Sequence, residues 1–396
     1  MSLSLCMIVR DEAENLPSCL NSVKAAVDEM VVLDTGSTDE TVAIAQSFGA
    51  QVHHFDWCDD FSAARNAALQ HVTGDWVLVL DADERLETGI VPQLKQVMQL
   101  NTCLVVNLVR QEIGATQSPY SLVSRLFRRH PKIQFLRPYH AMVDDSVAAI
   151  LQREPQWQVV ELPDVAILHE GYQAGAIASR DKLQKARMTM ERFLVKHPGD
   201  PYVCSKLGAL YVQIDKVSYG IELLERGLKS AQVDPPIGYE LHYHLGIAYS
   251  RLQHLDQAGM YYQLAIQQPI LPRLKLGAYN NLGNLRKATG DLTGAKAVYE
   301  QALRVDPSFT MGHYNLGMTL KAMGQLGEAI AQYQQAIQLN PNYAEAYQNL
   351  GVTLLKLGKV AESLAAFERA IALHQQHDPT EAQRLRQGLQ EMGFQV

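Results

Sequence analysis

The second half of this chain repeats itself. Leu-Gly pairs stand at Leu207-Gly208, Leu245-Gly246, Leu282-Gly283, Leu316-Gly317 and Leu350-Gly351, and the glycines are 38, 37, 34 and 34 residues apart. In the last three units Tyr299, Tyr333 and Phe367 share one phase, as do Ala302, Ala336 and Ala370. Asp306-Pro307 and Asn340-Pro341 end two units with a helix stop. A period of this length with almost no strand signal admits few folds. Each unit is a supersecondary element that buries its apolar face only by stacking on the next.

Small residues where two helices cross, with an aromatic in the second helix, make this pattern similar to the tetratricopeptide repeat. The resemblance covers about half the chain and is specific in the last three units. The unit near Leu207 is degenerate, and Asp234-Pro235-Pro236 and Pro269–Pro272 lengthen the early loops. The glycines and aromatics read as packing residues, which leaves the concave face of the stack as the surface for function.

The first 170 or so residues follow a different pattern. Leu3–Val9, Met30–Leu33, Gln51–His54 and Trp76–Leu80 read as strands, and Asn15–Ala26, Ser37–Phe48 and Phe61–His71 as helices between them. Such alternation implies βαβ units, a mostly parallel sheet, and ligands outside the strands' carboxyl ends. Ala174–Lys196 reads as a long charged helix ending at His197-Pro198-Gly199. The expected organisation is an α/β domain over 1–172, a linker helix over 173–197 and an all-α solenoid of about five helix pairs over 198–396.

Composition narrows the function classes. With 35 basic and 42 acidic residues the net charge is -7, which argues against a general nucleic-acid binder. Five cysteines form no C-x-x-C pair, so a disulfide framework or structural zinc is not expected and a reducing cytoplasm fits. The first apolar stretch ends at Arg10, too short for a secretory signal, and no run approaches the roughly 18 apolar residues of a membrane span. A soluble protein is expected.

The strongest local signal is TGDWVLVLDADE, Thr73 to Glu84. An apolar strand delivers Asp81, Asp83 and Glu84 to the carboxyl end of the sheet. Three acids so close repel one another unless a cation is present, and carboxylates suit Mg²⁺ or Mn²⁺, which keep positions open for phosphate oxygens. Acids opposing a helix dipole are the alternative. Upstream, MVVLDTGSTD brings a second strand to Asp34, followed by a turn at Thr35, Gly36, Ser37 and Thr38. Asp34 can accept hydrogen bonds from a base or ribose, while Ser37 or Thr38 can serve as the N-cap of the next helix and Asp39 or Glu40 can oppose its dipole.

The ordered set IVRDEAENLPSCLNSV, VVLDTGSTDETVAIA, FSAARNAAL and TGDWVLVLDADE resembles the nucleotide-diphospho-sugar glycosyltransferases of family 2, whose Rossmann-like fold is called GT-A. The resemblance covers the first 90 residues in register and continues more weakly to about Tyr172. It implies an α/β GT-A domain and an inverting, metal-dependent transfer from a nucleotide sugar, with a UDP-sugar the family expectation. Asp34 would then contact the base, Asp81 the ribose, and Asp83 the metal directly. Glu12 matches the family's Asn-Glu position, with Asp11 where Asn is more usual. Arg65 and Asn66 would help hold the donor and the D-x-D loop, or stand exposed on their helix.

Arg125-Leu126-Phe127-Arg128-Arg129-His130 resembles the family's Arg-Leu-Phe segment, and Arg125 is the member expected at the diphosphate; a solvated hairpin edge is the alternative. His140 stands where relatives carry His-Glu, but Ala141 follows, so the general base falls among Asp144, Asp145 and Glu170. His169 resembles a histidine that closes over metal and diphosphate in GT-A enzymes, or is structural. The repeats point to a peptide or protein acceptor, a layout also found among enzymes that glycosylate cysteine in ribosomal peptides. A cell-envelope glycan or lipid acceptor fits the first half equally well. Self-association through the repeats is a further expectation, and a non-catalytic scaffold is the rival of a different class.

Overall fold

The computed structural model describes residues 1–115, 117–137, 141–170 and 180–394, with 180–183 and 185 described as backbone alone. The chain forms two compact units, Met1–Pro198 and Gly199–Val396. No helix among the described residues is long and apolar enough to cross a membrane.

The first unit is built on an eight-stranded sheet among the described residues. Its strands are β1 (Leu3–Val9), β2 (Glu29–Asp34), β3 (Gln51–His54), β4 (Trp76–Val79), β5 (Glu84–Leu86), β6 (Cys103–Glu112), β7 (Tyr120–Arg128) and β8 (Gln158–His169), in the order β3-β2-β1-β4-β7-β6-β8-β5. Parallel pairs join β1 to β2 and β4, β2 to β3, and β6 to β8. Pairs β4–β7, β6–β7 and β5–β8 are antiparallel. The sheet is therefore mostly parallel, with the antiparallel pairs confined to the half that follows β4.

Helices cover both faces, which is why the central strands are nearly continuous runs of apolar residues. Leu5, Met7 and Leu78 turn to one core with α1 (Leu16–Val23) and α4 (Val91–Met98). Cys6, Val77 and Val79 turn to the other, with Ala64 and Ala68 of α3 (Phe61–Leu69) and Val147 and Ile150 of α5 (Asp144–Arg153). The remaining helices of this unit are α2 (Thr41–Ser47) and α6 (Arg180–Lys196). The chain runs outward from β1 to β3 and then returns to β4 on β1's other side. That reversal opens a crevice at the carboxyl ends of β1, β2 and β4.

One irregularity matters for the site. β6 and β7 pair Val106 with Leu126 and Asn107 with Ser124, so Arg125 is an extra residue with no partner across the ladder. A bulge of this kind redirects a side chain that regular pleating would send elsewhere.

The second unit stacks helix pairs: α7 (Pro201–Gln213) with α8 (Val217–Leu228), α9 (Pro235–Arg251) with α10 (Leu255–Gln267), and α11 (Leu276–Ala288) with α12 (Leu292–Val305). Then come α13 (Thr310–Ala322) with α14 (Leu326–Leu339), α15 (Ala344–Lys356) with α16 (Val360–His377), and a final α17 (Pro379–Glu391). The Leu-Gly glycine of each pair faces the residue sixteen positions later. A Cβ on Gly246, Gly283 or Gly317 would lie 2.5, 2.5 or 2.7 Å from the ring of Tyr262, Tyr299 or Tyr333, and one on Gly351 would lie 3.0 Å from Phe367. In the degenerate first pair Leu224 takes the ring's place, 2.7 Å from a Cβ on Gly208. The repeat glycine is therefore required by close approach of backbone to ring.

Two substitutions separate that packing from helix propensity. Gly283→Ala is expected to lower unfolding stability by about 1–3 kcal/mol through overpacking, although alanine is the better helix former. Gly388→Ala in α17, where nothing lies within 4 Å of the new methyl, is expected to raise it by about 0.5–1 kcal/mol. Urea titrations followed by circular dichroism measure both.

Candidate active site

The loops after β1 and β2 hook onto each other. Asp11 adopts a left-handed conformation (φ +52°), which short polar side chains tolerate. Its Oδ1 accepts from the Thr38 backbone N–H at 2.7 Å and the Thr38 hydroxyl at 3.1 Å. The Asp11 N–H donates to Ser37 Oγ (3.0 Å), the Glu12 N–H to Thr41 Oγ1 (2.7 Å) and the Ala13 N–H to Asp39 Oδ2 (3.1 Å). The capping expectation for Ser37 and Thr38 is thereby corrected. Helix α2 begins at Thr41, and Asp39 Oδ1 accepts the Thr41 N–H, while Ser37 and Thr38 clamp the first loop. The Glu12 carboxylate accepts from Asn15 Nδ2 at 2.9 Å, inside its own loop.

Asp34 ends β2 with its carboxylate almost fully buried. It accepts from the backbone N–H groups of Gly36 (3.2 Å) and Ser37 (3.1 Å) and lies 3.3 Å from His54 Nδ1. Burial opposes its charge, but hydrogen bonds from Ser37, Gly36 and His54 outweigh it and hold the carboxyl below its usual range.

At the end of β4 the acids do not confront one another, because cations are interleaved with them. Asp81 Oδ1 meets Arg65 Nη2 at 2.6 Å and Asp81 Oδ2 meets Arg125 Nη2 at 2.7 Å. That Arg125 nitrogen lies 3.6 Å from Glu84 Oε1, which also accepts from Arg110 Nη1 at 2.8 Å. Arg110 Nη2 reaches Glu112 at 2.8 Å, and Glu112 Oε2 meets His169 Nδ1 at 2.5 Å. His169 Nε2 then lies 3.2 Å from Asp83 Oδ2. The result is one line of alternating charge: Arg65, Asp81, Arg125, Glu84, Arg110, Glu112, His169, Asp83.

The fold places each member. Glu84 and Glu112 are the register partners of His169 on the flanking strands, and the bulge in β7 brings in Arg125. Glu84 is fully buried and turns its other oxygen to the Asp81 N–H at 2.9 Å. Burial would raise the Asp81 carboxyl, but Arg125 and Arg65 hold it far below the ordinary carboxylate range. Burial would likewise lower the two guanidinium groups, and neighbouring carboxylates raise them instead: Asp81 and Glu84 for Arg125, Glu84 and Glu112 for Arg110.

Other expected residues have other partners. Both polar atoms of the Asn66 amide bond the Phe135 backbone (2.9 and 2.8 Å), and the Phe135 ring lies 5.4 Å from the Arg65 guanidinium. Asn66 therefore braces the Phe135 backbone beside Arg65, the residue that holds Asp81. Asp145 is held by Arg137 through two bonds of 2.8 and 3.1 Å. Glu170 pairs with Arg85, and its N–H donates to the Asp83 carbonyl at 3.1 Å. Asp144 accepts from the Ser124 hydroxyl at 2.8 Å; the residue is exposed, yet protein packed about its carboxyl pushes it up. His140 lies outside the described residues. Arg110 and Glu112 were missed in the sequence. They stand at i and i+2 on one face of a strand, a pattern that a solvated edge also produces.

Among the described residues no three His, Cys, Asp or Glu side chains converge as a complete metal set. His169 is instead a protonated link between two carboxylates. Burial lowers its pKa, hydrogen bonds to Asp83 and Glu112 raise it more, and the balance is about 9 against 6.5 for an ordinary histidine. Its charge therefore stabilises the metal-free fold fully below pH 6.5, and that contribution is lost as pH rises through about 9. Denaturant titrations of metal-free protein between about pH 6 and 10 are expected to show this loss in the wild type and a flatter profile in His169→Gln.

The model for glycosyl transferase family 2 matches residues 4–160, and tetratricopeptide-repeat models match 239–268, 283–324, 319–358 and 344–377. A TPR repeat-containing protein of Synechococcus elongatus is 47% identical over 305 residues, 77% of this chain and 76% of that one. The SPbeta prophage-derived glycosyltransferase SunS of Bacillus subtilis is 26% identical over 231 residues, 57% of this chain; the match spans 52% of SunS. The solved repeat protein YrrB aligns over 50% of this chain and 97% of its own at 17% identity, with a TM-score of 0.39 that is too low to superimpose one on the other. The chain is a family 2 glycosyltransferase domain followed by tetratricopeptide repeats, and it belongs to one family with the Synechococcus protein.

Proposed function

We propose that this glycosyltransferase moves a sugar from a nucleoside-diphosphate sugar, a UDP-sugar by family expectation, to a peptide or protein acceptor in one inverting step that needs Mn²⁺ or Mg²⁺. The observation that carries the reading is the Asp83–His169 corner at the end of the charge line. One carboxylate oxygen and one imidazole nitrogen stand 3.2 Å apart. That is close to the roughly 3 Å separating adjacent ligands around an octahedral ion with bonds of about 2.1 Å. Two protein ligands leave the other positions to donor oxygens and water, as suits Mg²⁺ and Mn²⁺. Bound there, the ion would neutralise charge on the departing diphosphate.

The chain's own groups supply the rest. Asp34 presents a fixed, ionised acceptor at the end of β2, suited to the N–H of a base. Arg125 and Arg65 hold Asp81 ionised at the crevice floor, where its side chain keeps about a third of its exposure and can still meet a ribose hydroxyl. Glu112 accepts a hydrogen bond from the Nδ1–H of His169, which leaves Nε2, facing Asp83, as the nitrogen that gives up its proton when a cation binds. Of the acids considered as base, Asp144 is the one without a cation across a short bond among the described residues, and a carboxyl pushed up in pKa is a better proton acceptor. We assign it the deprotonation of the acceptor.

Hydrolysis and transfer with UDP-glucose or UDP-N-acetylglucosamine test this reading. The wild type is expected to turn over only with Mn²⁺ or Mg²⁺, and Asp83→Ala to lose about 10²-fold or more. Asp144→Asn is expected to lose about 10²–10⁴-fold in kcat for transfer while still binding the donor. Turnover in chelator equal to that in Mn²⁺ refutes the metal, and a fully active Asp144→Asn refutes the base.

A further inference from the structure

The repeats carry a row of basic side chains that the charge line and the transfer chemistry do not use. The first helices of successive pairs, α9, α11, α13 and α15, touch one another along the array, whereas successive second helices approach less closely. The first helices therefore line the inner, concave wall. Lys287 in α11 and Lys321 in α13 occupy the same position one 34-residue period apart, and Lys356 follows near the end of α15.

Polar contacts tie these helices into one stripe. Asn315 Nδ2 donates to Asn280 Oδ1 at 2.8 Å. Asn349 Nδ2 donates to the Tyr314 hydroxyl at 3.1 Å, and Asn349 Oδ1 accepts from Lys321 Nζ at 2.6 Å. Each lysine lies seven residues, or two helical turns, beyond a member of the stripe: Asn280, Tyr314 and Asn349. Among the described residues the ammonium groups of Lys287 and Lys356 have no ion-pair or hydrogen-bond partner. Burial first, then the nearby Lys356 and Lys287 charges, hold the Lys321 ammonium below its usual range, with no carboxylate acting on it. Among the described residues no carboxylate pairs with these three ammonium groups, although Glu345 acts on Tyr314 of the stripe, and in a chain of net charge -7 an anion is what the lysines fit.

We infer that this wall binds an acidic segment of an extended polypeptide, with one carboxylate to each of Lys287, Lys321 and Lys356. Spacing supports a peptide in the polyproline II conformation. Packed helices lie about 8–10 Å apart. A polyproline II chain, three residues per turn at about 3.1 Å each, repeats a side chain on one edge about every 9 Å. Acids at every third position therefore match the lysines. The peptide acceptor rests on the proposal above, but the binding does not.

Fluorescence anisotropy with the full-length protein and labelled peptides of Glu-Pro-Pro, Gln-Pro-Pro or Lys-Pro-Pro triplets tests the inference. The Glu-Pro-Pro peptide is expected to bind, and to weaken as salt rises from about 50 to 300 mM. Lys321→Glu is expected to weaken it at least tenfold and Lys321→Gln less, in variants whose circular dichroism shows the helices intact. Lys359→Glu, which alters a lysine already paired with Glu362 at the start of α16, is expected to leave binding intact. Equal binding of Gln-Pro-Pro, no binding of Glu-Pro-Pro, full affinity in folded Lys321→Glu, or tighter binding of an oligonucleotide of equal charge each overturns it. Donor hydrolysis by the same variants is expected to match the wild type. Absence of hydrolysis in the wild type counts against the transferase proposal alone.

Discussion

Charge neutralisation along one line of side chains is the constraint on which the first unit depends. Glu84 is fully buried and Arg110 half-buried, and a buried charge without a partner costs several kcal/mol. Each interior member of the line answers two neighbours, so none can be removed without leaving another uncompensated. The line begins at Arg65 on α3, passes Asp81 beyond the end of β4, Arg125 on β7, Glu84 on β5, Arg110 and Glu112 on β6 and His169 on β8, and ends on the Asp83 carboxylate. Such networks rigidify where their members are satisfied, as they are from Asp81 to Asp83, while Arg65 at the far end keeps its Nη1 buried without a hydrogen-bond partner. The stiffness is delivered to the two groups at its end, which face each other and the solvent.

The sheet supplies the geometry for that delivery. Register alone sets Glu84, His169 and Glu112 side by side on three strands. Pleating would not bring Arg125 in, and the bulge in β7 does. On the other side of the crevice, the clamp between the first two loops fixes the turn that binds Asp34. Binding a donor across these groups would therefore need little reordering of the protein, which is where preorganised sites gain their catalytic advantage.

Much of this was legible in the sequence, for identifiable reasons. A strand of Trp76–Val79 followed by three acids names its own sheet position, and the Leu-Gly period names its own stack. What stayed hidden depends on pairing distant in sequence. Arg125, Arg128 and Arg129 look alike on the page. The bulge sends only Arg125 to Asp81, while Arg128 bonds the Cys103 and Leu100 carbonyls and Arg129 the Gly74 carbonyl. Nothing in the local sequence singles out Arg110 and Glu112, because only their pairing beside β8 brings them to His169. The partner of the Asn66 amide, the Phe135 backbone, lies 69 residues away, where no local pattern points. The antiparallel pairs of β7 and β5 likewise follow from long-range pairing that local periodicity does not encode.

The most direct measurement is anomalous diffraction at the manganese edge from crystals grown with Mn²⁺ and UDP. The expected result is a single peak bonded to both the Asp83 carboxylate and His169 Nε2, at about 2.0–2.2 Å from each, with diphosphate oxygens completing its shell. UDP bound in the crevice with no manganese between these two residues would contradict it.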